Sequence, residues 1–282
     1  MASRPSNNSL LCPSCRRLVS RDASYCPYCG TSRPGSWFKN NPIFAAITDE
    51  ERIIPLITYA SAAMYVLSLL LSRRGTGLAV NPFEFLSPSN RSLLILGSTG
   101  TYAILSLHRW WTLISATYLH GSLLHLIFNL IALRQIGPLV IREFSGQRMF
   151  VIYTASGIGG FFLSFLAGIP FTIGASAGVC GLIGAMLYYG KSRGGMYGNL
   201  MYRQIGGWAF SIVVFGLMVP GINNWGHVGG MASGALLGLF LGYREQTRPT
   251  LRDQLLGTGC WLLTAAVLLW SVLNGLLGLL FG

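Results

Sequence analysis

Residues 204–243 read QIGGWAFSIVVFGLMVPGINNWGHVGGMASGALLGLFLGY, with no Asp, Glu, Lys or Arg between Arg203 and Arg244. A membrane-crossing helix needs roughly 20 apolar residues, so the segment holds two. Pro220-Gly221 near its middle supplies the turn between them. In its second half Gly226, Gly230, Gly234, Gly238 and Gly242 recur every four residues, laying one smooth stripe along a helix.

The rest of the chain repeats the pattern. Charge-free runs cover 53–72, 110–133, 149–190 and 254–282, and Gly168-Ile169-Pro170 breaks the third near its middle. Seven spans follow by the length rule, near 53–72, 118–138, 149–168, 174–190, 204–220, 225–243 and 257–280. Only 10% of the 282 residues are charged and 52% are hydrophobic. A soluble domain spends about a quarter of its residues on charge, and a disordered chain combines high charge with low hydrophobicity. Both classes are excluded, leaving an all-α polytopic membrane protein. Ser92 to His108 is also uncharged, but it is short and contains Gly97 and Gly100. With Trp110 and Trp111 it reads as a partly embedded interfacial loop rather than an eighth span.

Loop charge sets the orientation. With the N-terminus in the cytoplasm, 16 of the 20 basic residues face that side, and Arg73, Arg74, Arg91 and Arg109 face the other. The C-terminus then lies on the non-cytoplasmic side. The net charge of +12 is thus a topology signal. No continuous basic face survives this partition, so nucleic acid is not an expected partner. The first 50 residues are polar and contain no cleavable signal peptide or organelle-targeting signal. A prokaryotic cytoplasmic membrane is the expected location.

Near the N-terminus, Cys12-Pro-Ser-Cys15 and Cys26-Pro-Tyr-Cys29 form two CxxC pairs. Two such knuckles supply the four thiolates of a structural zinc site, in a compartment where disulfides are rare. The stretch 1–32 resembles a zinc ribbon whose folding energy would come from the metal. Its sequence names no cytoplasmic partner. A linker, 33–50, separates it from a membrane core over 51–245, and 246–282 supplies the seventh helix. Cys180 and Cys260 lie within spans as packing residues.

Ionisable groups inside a membrane mark function by default. The eight acids, Asp22, Asp49, Glu50, Glu51, Glu84, Glu143, Glu245 and Asp253, all fall in loops or tails by this reading. That removes intramembrane aspartyl chemistry and weakens a proton-coupled transporter. No His-Glu pair exists for an HExxH metalloprotease. His125 and Asn129 share a helix face at i, i+4, and His227 opens the sixth span on the same side of the membrane. Ser176 sits in Gly174-Ala-Ser176-Ala-Gly178 at the start of the fourth. The glycine stripe of the sixth span faces a small-residue face of the fourth: Ala177, Gly181 and Ala185. Close packing there would bring Ser176 Oγ within about 3 Å of the His227 ring. The result is a Ser-His dyad in which His227 acts as base and then as acid. A packing motif with an incidental serine is the bland alternative.

These residues resemble those of the rhomboid intramembrane serine proteases. The resemblance covers roughly 50–245. It rests on Gly174-Ala-Ser176, on Gly226-His227-x-x-Gly230-x-x-x-Gly234, and on His120-Gly-Ser-Leu-Leu-His125-Leu-Ile-Phe-Asn129, in family order. It implies a six-helix core, Ser176 as nucleophile and His227 as base. It also implies an oxyanion hole of His125, Asn129 and the Ser176 N–H, with no cofactor for catalysis. The implied substrates are transmembrane proteins in the lipid bilayer, cut near the non-cytoplasmic face. A rhomboid-like protein that binds membrane clients without cutting is the second reading. The chain departs from the family at Trp111-Thr112, where a Trp-Arg pair is usual, and at Cys180, where an aromatic is frequent.

Overall fold

The computed structural model describes residues 8–36, 50–72, 85–245 and 250–280. The linker expected over 33–50, Arg73 and Arg74, and the junction before the last helix fall wholly or largely outside the described residues. The chain forms two compact units, Met1–Arg52 and Ile53–Gly282.

In the first unit, β1 (Ser9–Leu11) and β2 (Leu18–Ser20) pair antiparallel with Leu10 opposite Val19. The unit is too small for a core of aliphatic side chains. Its buried centre is Cys12, Val19 and Cys26, with Leu10 and Cys15 against them.

The second unit is helical. Its long helices among the described residues are α1 (Glu50–Leu70), α2 (Leu123–Phe144), α3 (Gly146–Leu166), α4 (Ser176–Arg193), α5 (Gly195–Met218), α6 (Asn224–Leu241) and α7 (Leu251–Leu280). Several exceed the charge-free runs that announce them. α5 begins nine positions before residue 204, and Arg203 lies within it. α2 likewise continues through Arg134 and Arg142 to Phe144. Long basic side chains lie along a helix and keep their heads in water, so charge bounds the buried part of a helix and not its backbone.

Among the described residues, five helices are long and apolar enough to cross a membrane: α1, α2, α3, α5 and α7. The two below that threshold are α4 and α6, the helices that carry Ser176 and His227. Both are rich in glycine, and both lie centrally, with α6 packed on α4 and α3. Glycine lowers apolarity but lets backbones approach.

The stretch 90–111 is not a span. It consists of the helical turn Asn90–Ile95, a break through Gly97 and Gly100, and a π-helical turn at Tyr102–Ser106. Leu93, Leu96 and Ile104 anchor it in the core.

α7 is fastened at both ends. Arg148 Nη2 donates to Asp253 Oδ2 at 2.9 Å and Nη1 to the Gly242 carbonyl at 3.0 Å. The same carboxylate oxygen accepts from the Thr250 N–H and hydroxyl. Phe150 and Trp261 stack face to face at 3.6 Å. Near the far end of α7, the Ser271 hydroxyl donates to the Leu96 carbonyl.

Candidate active site

The approach of α4 and α6 comes from residues that lack side chains. A Cβ on Gly230 would overlap the Ala177 carbonyl, and one on Gly234 would overlap that of Gly181. Gly184 faces the Met231 carbonyl in the same way, and at Gly238 a Cβ would lie 3.3 Å from Ala185 Cα. The small face Ala177, Gly181, Ala185 therefore meets the stripe as the sequence predicts. Gly226 turns instead toward Ser164 of α3. Where the three helices meet, Gly160 of α3 lies against the Gly226 carbonyl and Ala177 Cβ.

Ser176 is the first residue of α4. Its N–H has no intrahelical acceptor, as for every residue in a first helical turn. The chain reaches it through Gly174, whose φ of +122° suits glycine. Gly174 N–H donates to the Ala116 carbonyl at 2.9 Å, and two residues earlier Thr172 exchanges both backbone hydrogen bonds with Thr99 at 2.7 and 3.1 Å. These bonds fix the loop before Ser176.

His125 sits in the first turn of α2, where Ser122 caps the helix by accepting from the His125 N–H. Its Nδ1 accepts from the Gly121 N–H at 3.3 Å. A neutral imidazole that accepts at Nδ1 carries its hydrogen on Nε2. That Nε2 lies 2.7 Å from the point a Gly174 Cβ would occupy, and Ser176 Oγ lies 3.7 Å from the same point. The structure thus brings His125 Nε2 and the serine oxygen near one point beside Gly174, which a side chain there would occupy. His120, fully buried, packs its ring edge-on to His125 at 5.1 Å and accepts from Ala175 N–H at 3.5 Å.

Asn129 is buried, and its amide donates to the His125 carbonyl at 2.8 Å. One of its two N–H donors is therefore already engaged within the helix.

His227 lies one turn into α6 and is 8% exposed. No hydrogen bond joins Ser176 Oγ to its ring, so the direct 3 Å contact expected from the packing is not made in this state. Catalytic hydrogen bonds are commonly long in a free enzyme and tighten with substrate. Nor does any ring among the described residues stack on His227; Cys180, on α4, is a buried thiol.

A residue outside the three sequence motifs holds this region. Asn223 caps α6, accepting at Oδ1 from Gly226 N–H at 3.2 Å, and its carbonyl accepts from His227 N–H at 3.3 Å. Its amide reaches Ser164 Oγ at 2.7 Å and Thr172 Oγ1 at 3.0 Å. The available signal was an Asn four residues before His227, at a helix start where Asn is favoured. Thr112, in place of the expected arginine, is fully buried; its hydroxyl lies 3.0 Å from Thr99 Oγ1 and 2.6 Å from the Arg109 carbonyl. Arg109 in turn donates to the Leu94 carbonyl.

In the first unit, the four Sγ atoms of Cys12, Cys15, Cys26 and Cys29 lie within 4.8 Å of one another. Each CxxC closes a matching knuckle: Arg16 N–H returns to the Cys12 carbonyl and Gly30 N–H to that of Cys26, both at 2.9 Å. Arg16 and Gly30 both have positive φ. The pairs Cys12–Cys29 and Cys15–Cys26 are 3.7 and 3.6 Å apart. A tetrahedron with metal–sulfur bonds of about 2.3 Å has edges of about 3.8 Å, so these two separations match its edges and the cluster is compatible with a zinc site. The Thr31 hydroxyl, and then its backbone N–H, draw the Cys29 thiol down to about 6.

Fold and site together define a polytopic helical membrane protein with a serine and two histidines gathered at one end of its central helices. Residues 107–244 match the rhomboid domain family. RHOMBOID-like protein 4 of Arabidopsis thaliana is 32% identical over 206 residues, covering 67% of this chain and 52% of that protein. Rhomboid protease GluP of Bacillus subtilis (strain 168) is 31% identical over 192 residues, covering 67% and 35%. Inactive RHOMBOID-like protein 8 of Arabidopsis thaliana is 34% identical over 178 residues, covering 61% and 49%. The chain thus spans about half the length, or less, of these relatives.

Proposed function

We propose that this protein is an intramembrane serine endopeptidase that cleaves transmembrane proteins near the non-cytoplasmic face of the bilayer. The observation that carries the reading is the convergence of His125 Nε2 and Ser176 Oγ on Gly174, beside helices α4 and α6 that touch backbone to backbone. Ser176 Oγ attacks the scissile carbonyl and His227 takes its proton. The oxyanion receives hydrogen bonds from His125 Nε2–H and Ser176 N–H, with the second Asn129 N–H as a further donor. Donors fixed before the charge develops are worth several kcal/mol. His227 then protonates the leaving amine, and water hydrolyses the acyl-enzyme by the reverse sequence. A helical peptide bond is shielded by its own hydrogen bonds, so substrates with small or helix-breaking residues at the cut are preferred.

The remaining assignments accompany this reading. Residues 1–32 form a zinc ribbon with Cys12, Cys15, Cys26 and Cys29 as ligands, 33–50 is a linker, 51–245 is the six-helix core, and 246–282 is the seventh helix. The ribbon would present a cytoplasmic surface to a partner. The N-terminus is cytoplasmic and the C-terminus is not. In support, Arg142, Lys191 and Arg193 lie in the last turns of α2 and α4, the ends opposite His125 and Ser176. A prokaryotic cytoplasmic membrane remains the expected site.

A client-binding protein without activity is the second reading, favoured by a relative whose name marks it inactive. Cleavage of a model transmembrane substrate by wild type, Ser176→Ala and His227→Ala separates the two. Activity in wild type alone, with fluorophosphonate labelling that requires Ser176, supports the protease. Equal behaviour of all three rejects it.

A further inference from the structure

We propose that Asn223 is a positioning residue that sets the separation of Ser176 and His227, an inference that rests on the protease reading. It acts through other groups and does not touch the reacting atoms.

The case begins with donor arithmetic. A carboxamide has one acceptor oxygen and two N–H donors. At Asn223 all three have partners on different parts of the fold: Oδ1 takes the Gly226 N–H of α6, and Nδ2 reaches Ser164 Oγ of α3 and Thr172 Oγ1 of the loop before Ser176. The amide orientation is fixed by the Gly226 bond, because a backbone N–H can only donate. Aspartate would keep the acceptor and lose both donors. Serine would keep the cap but is too short to reach α3 and the loop.

Each partner is itself anchored. Ser164 Oγ donates to the Gly160 carbonyl at 2.9 Å, at the point where α3 meets α4 and α6. Thr172 is held by its two backbone bonds to Thr99. Thr172 lies four residues before the nucleophile, and Asn223 lies four before the base and accepts the His227 N–H. One side chain thus ties the strand-like approach to Ser176 to the first turn of the His227 helix. Nothing comparable acts on the imidazole: its Nδ1 is buried without a hydrogen-bond partner among the described residues. The ring is therefore located through its backbone. Space around the clamp is tight, since a Cβ on Gly226 would lie 3.3 Å from both Asn223 Nδ2 and Ser164 Oγ.

The test uses the full chain in detergent or liposomes. Asn223→Ser retains a good helix cap and removes both bridges. Thr172→Val removes one bridge, and Thr172→Ser restores it. Small displacements of reacting groups cost up to about 100-fold in rate. Asn223→Ser is expected to lower kcat about tenfold or more, leaving KM and the melting temperature close to wild type. Thr172→Val should show a smaller loss that Thr172→Ser recovers, and Thr172→Val added to Asn223→Ser should cost nothing further. A residue that merely caps α6 would leave kcat unchanged in Asn223→Ser, and that result overturns the proposal. So does a loss of kcat that only tracks a loss of melting temperature.

Amide exchange supplies a readout independent of activity. In Asn223→Ser the amides of 172–176 should exchange faster together with those of 226–230, and unchanged exchange at 172–176 also overturns the proposal. If wild type and Ser176→Ala are equally inert, the protease reading fails, and amide exchange still decides whether Asn223 couples the two segments.

Discussion

Arg148 and Asp253, 105 positions apart in sequence, meet at 2.9 Å with both side chains almost wholly buried. The pair joins the start of α3 to the start of α7, so the last helix is part of the folded body of the second unit. Removing one member of a buried pair leaves the other's charge uncompensated and typically costs about 3–5 kcal/mol. Asp253→Ala should therefore lower the melting temperature in detergent by many degrees. The apolar double replacement Arg148→Met with Asp253→Leu should recover much of the loss. If the single variant melts like wild type, the pair does not fasten α7.

Two Gly→Ala substitutions should act in opposite directions. At Gly230 the methyl would overlap the Ala177 carbonyl, whereas at Gly207 of α5 nothing lies within 4 Å. Overpacking a tight contact costs about 1–3 kcal/mol, so Gly230→Ala should lower both stability and cleavage. Gly207→Ala should be neutral or gain up to about 1 kcal/mol from helix propensity. Thermal unfolding of the two variants side by side checks the sign.

The proposed oxyanion donors should prove unequal. His125 Nε2 and Ser176 Oγ both lie close to the point a Gly174 Cβ would occupy, but Asn129 already gives one N–H to the His125 carbonyl. Loss of one such donor typically costs about 100- to 1,000-fold in kcat. His125→Ala should fall in that range with little change in KM, and Asn129→Ala should lose less. A larger effect at Asn129 would show that its amide turns toward the oxyanion during reaction.

Zinc in the ribbon should be stoichiometric and sensitive to acid. Thiolates bind the metal, so protons compete with it. Cys29, drawn down to about 6, is a ready thiolate at neutral pH and becomes protonated as the pH falls through that value. Metal analysis across pH 7 to 5 should show a content that falls as the pH is lowered. Cys12→Ser should release the metal at neutral pH while the melting of the helical unit stays unchanged. A metal content near zero in wild type rejects the zinc assignment.

Much of the arrangement was legible because it depends on composition and short spacing. The glycine stripe and the small face of α4 are local patterns, and their meeting follows from them. The knuckles Cys12–Cys15 and Cys26–Cys29 are local as well. Helix limits were less legible, because Arg203 and Arg142 continue their helices while their heads reach water. The role of Asn223 was hidden for a different reason. Its partners Ser164 and Thr172 lie 59 and 51 residues away, and common polar residues carry no sign of which others they will meet. Asp253 read as a tail acid for the same reason: its partner Arg148 is brought to it only by the folded bundle.

The weak apolarity of α4 and α6 bears on how the protein is made. A nascent segment is retained in the bilayer according to its own partition free energy, and glycine, asparagine and histidine contribute little or oppose it. α6 opens with Asn224 and His227 and is spaced by glycine, so its close backbone contacts with α4 and α3 add to what lipid supplies. Its commitment to the membrane is therefore cooperative. A substitution that loosens the packing of α6 on α4 and α3 would then weaken its hold on the membrane as well as the geometry around Ser176 and His227.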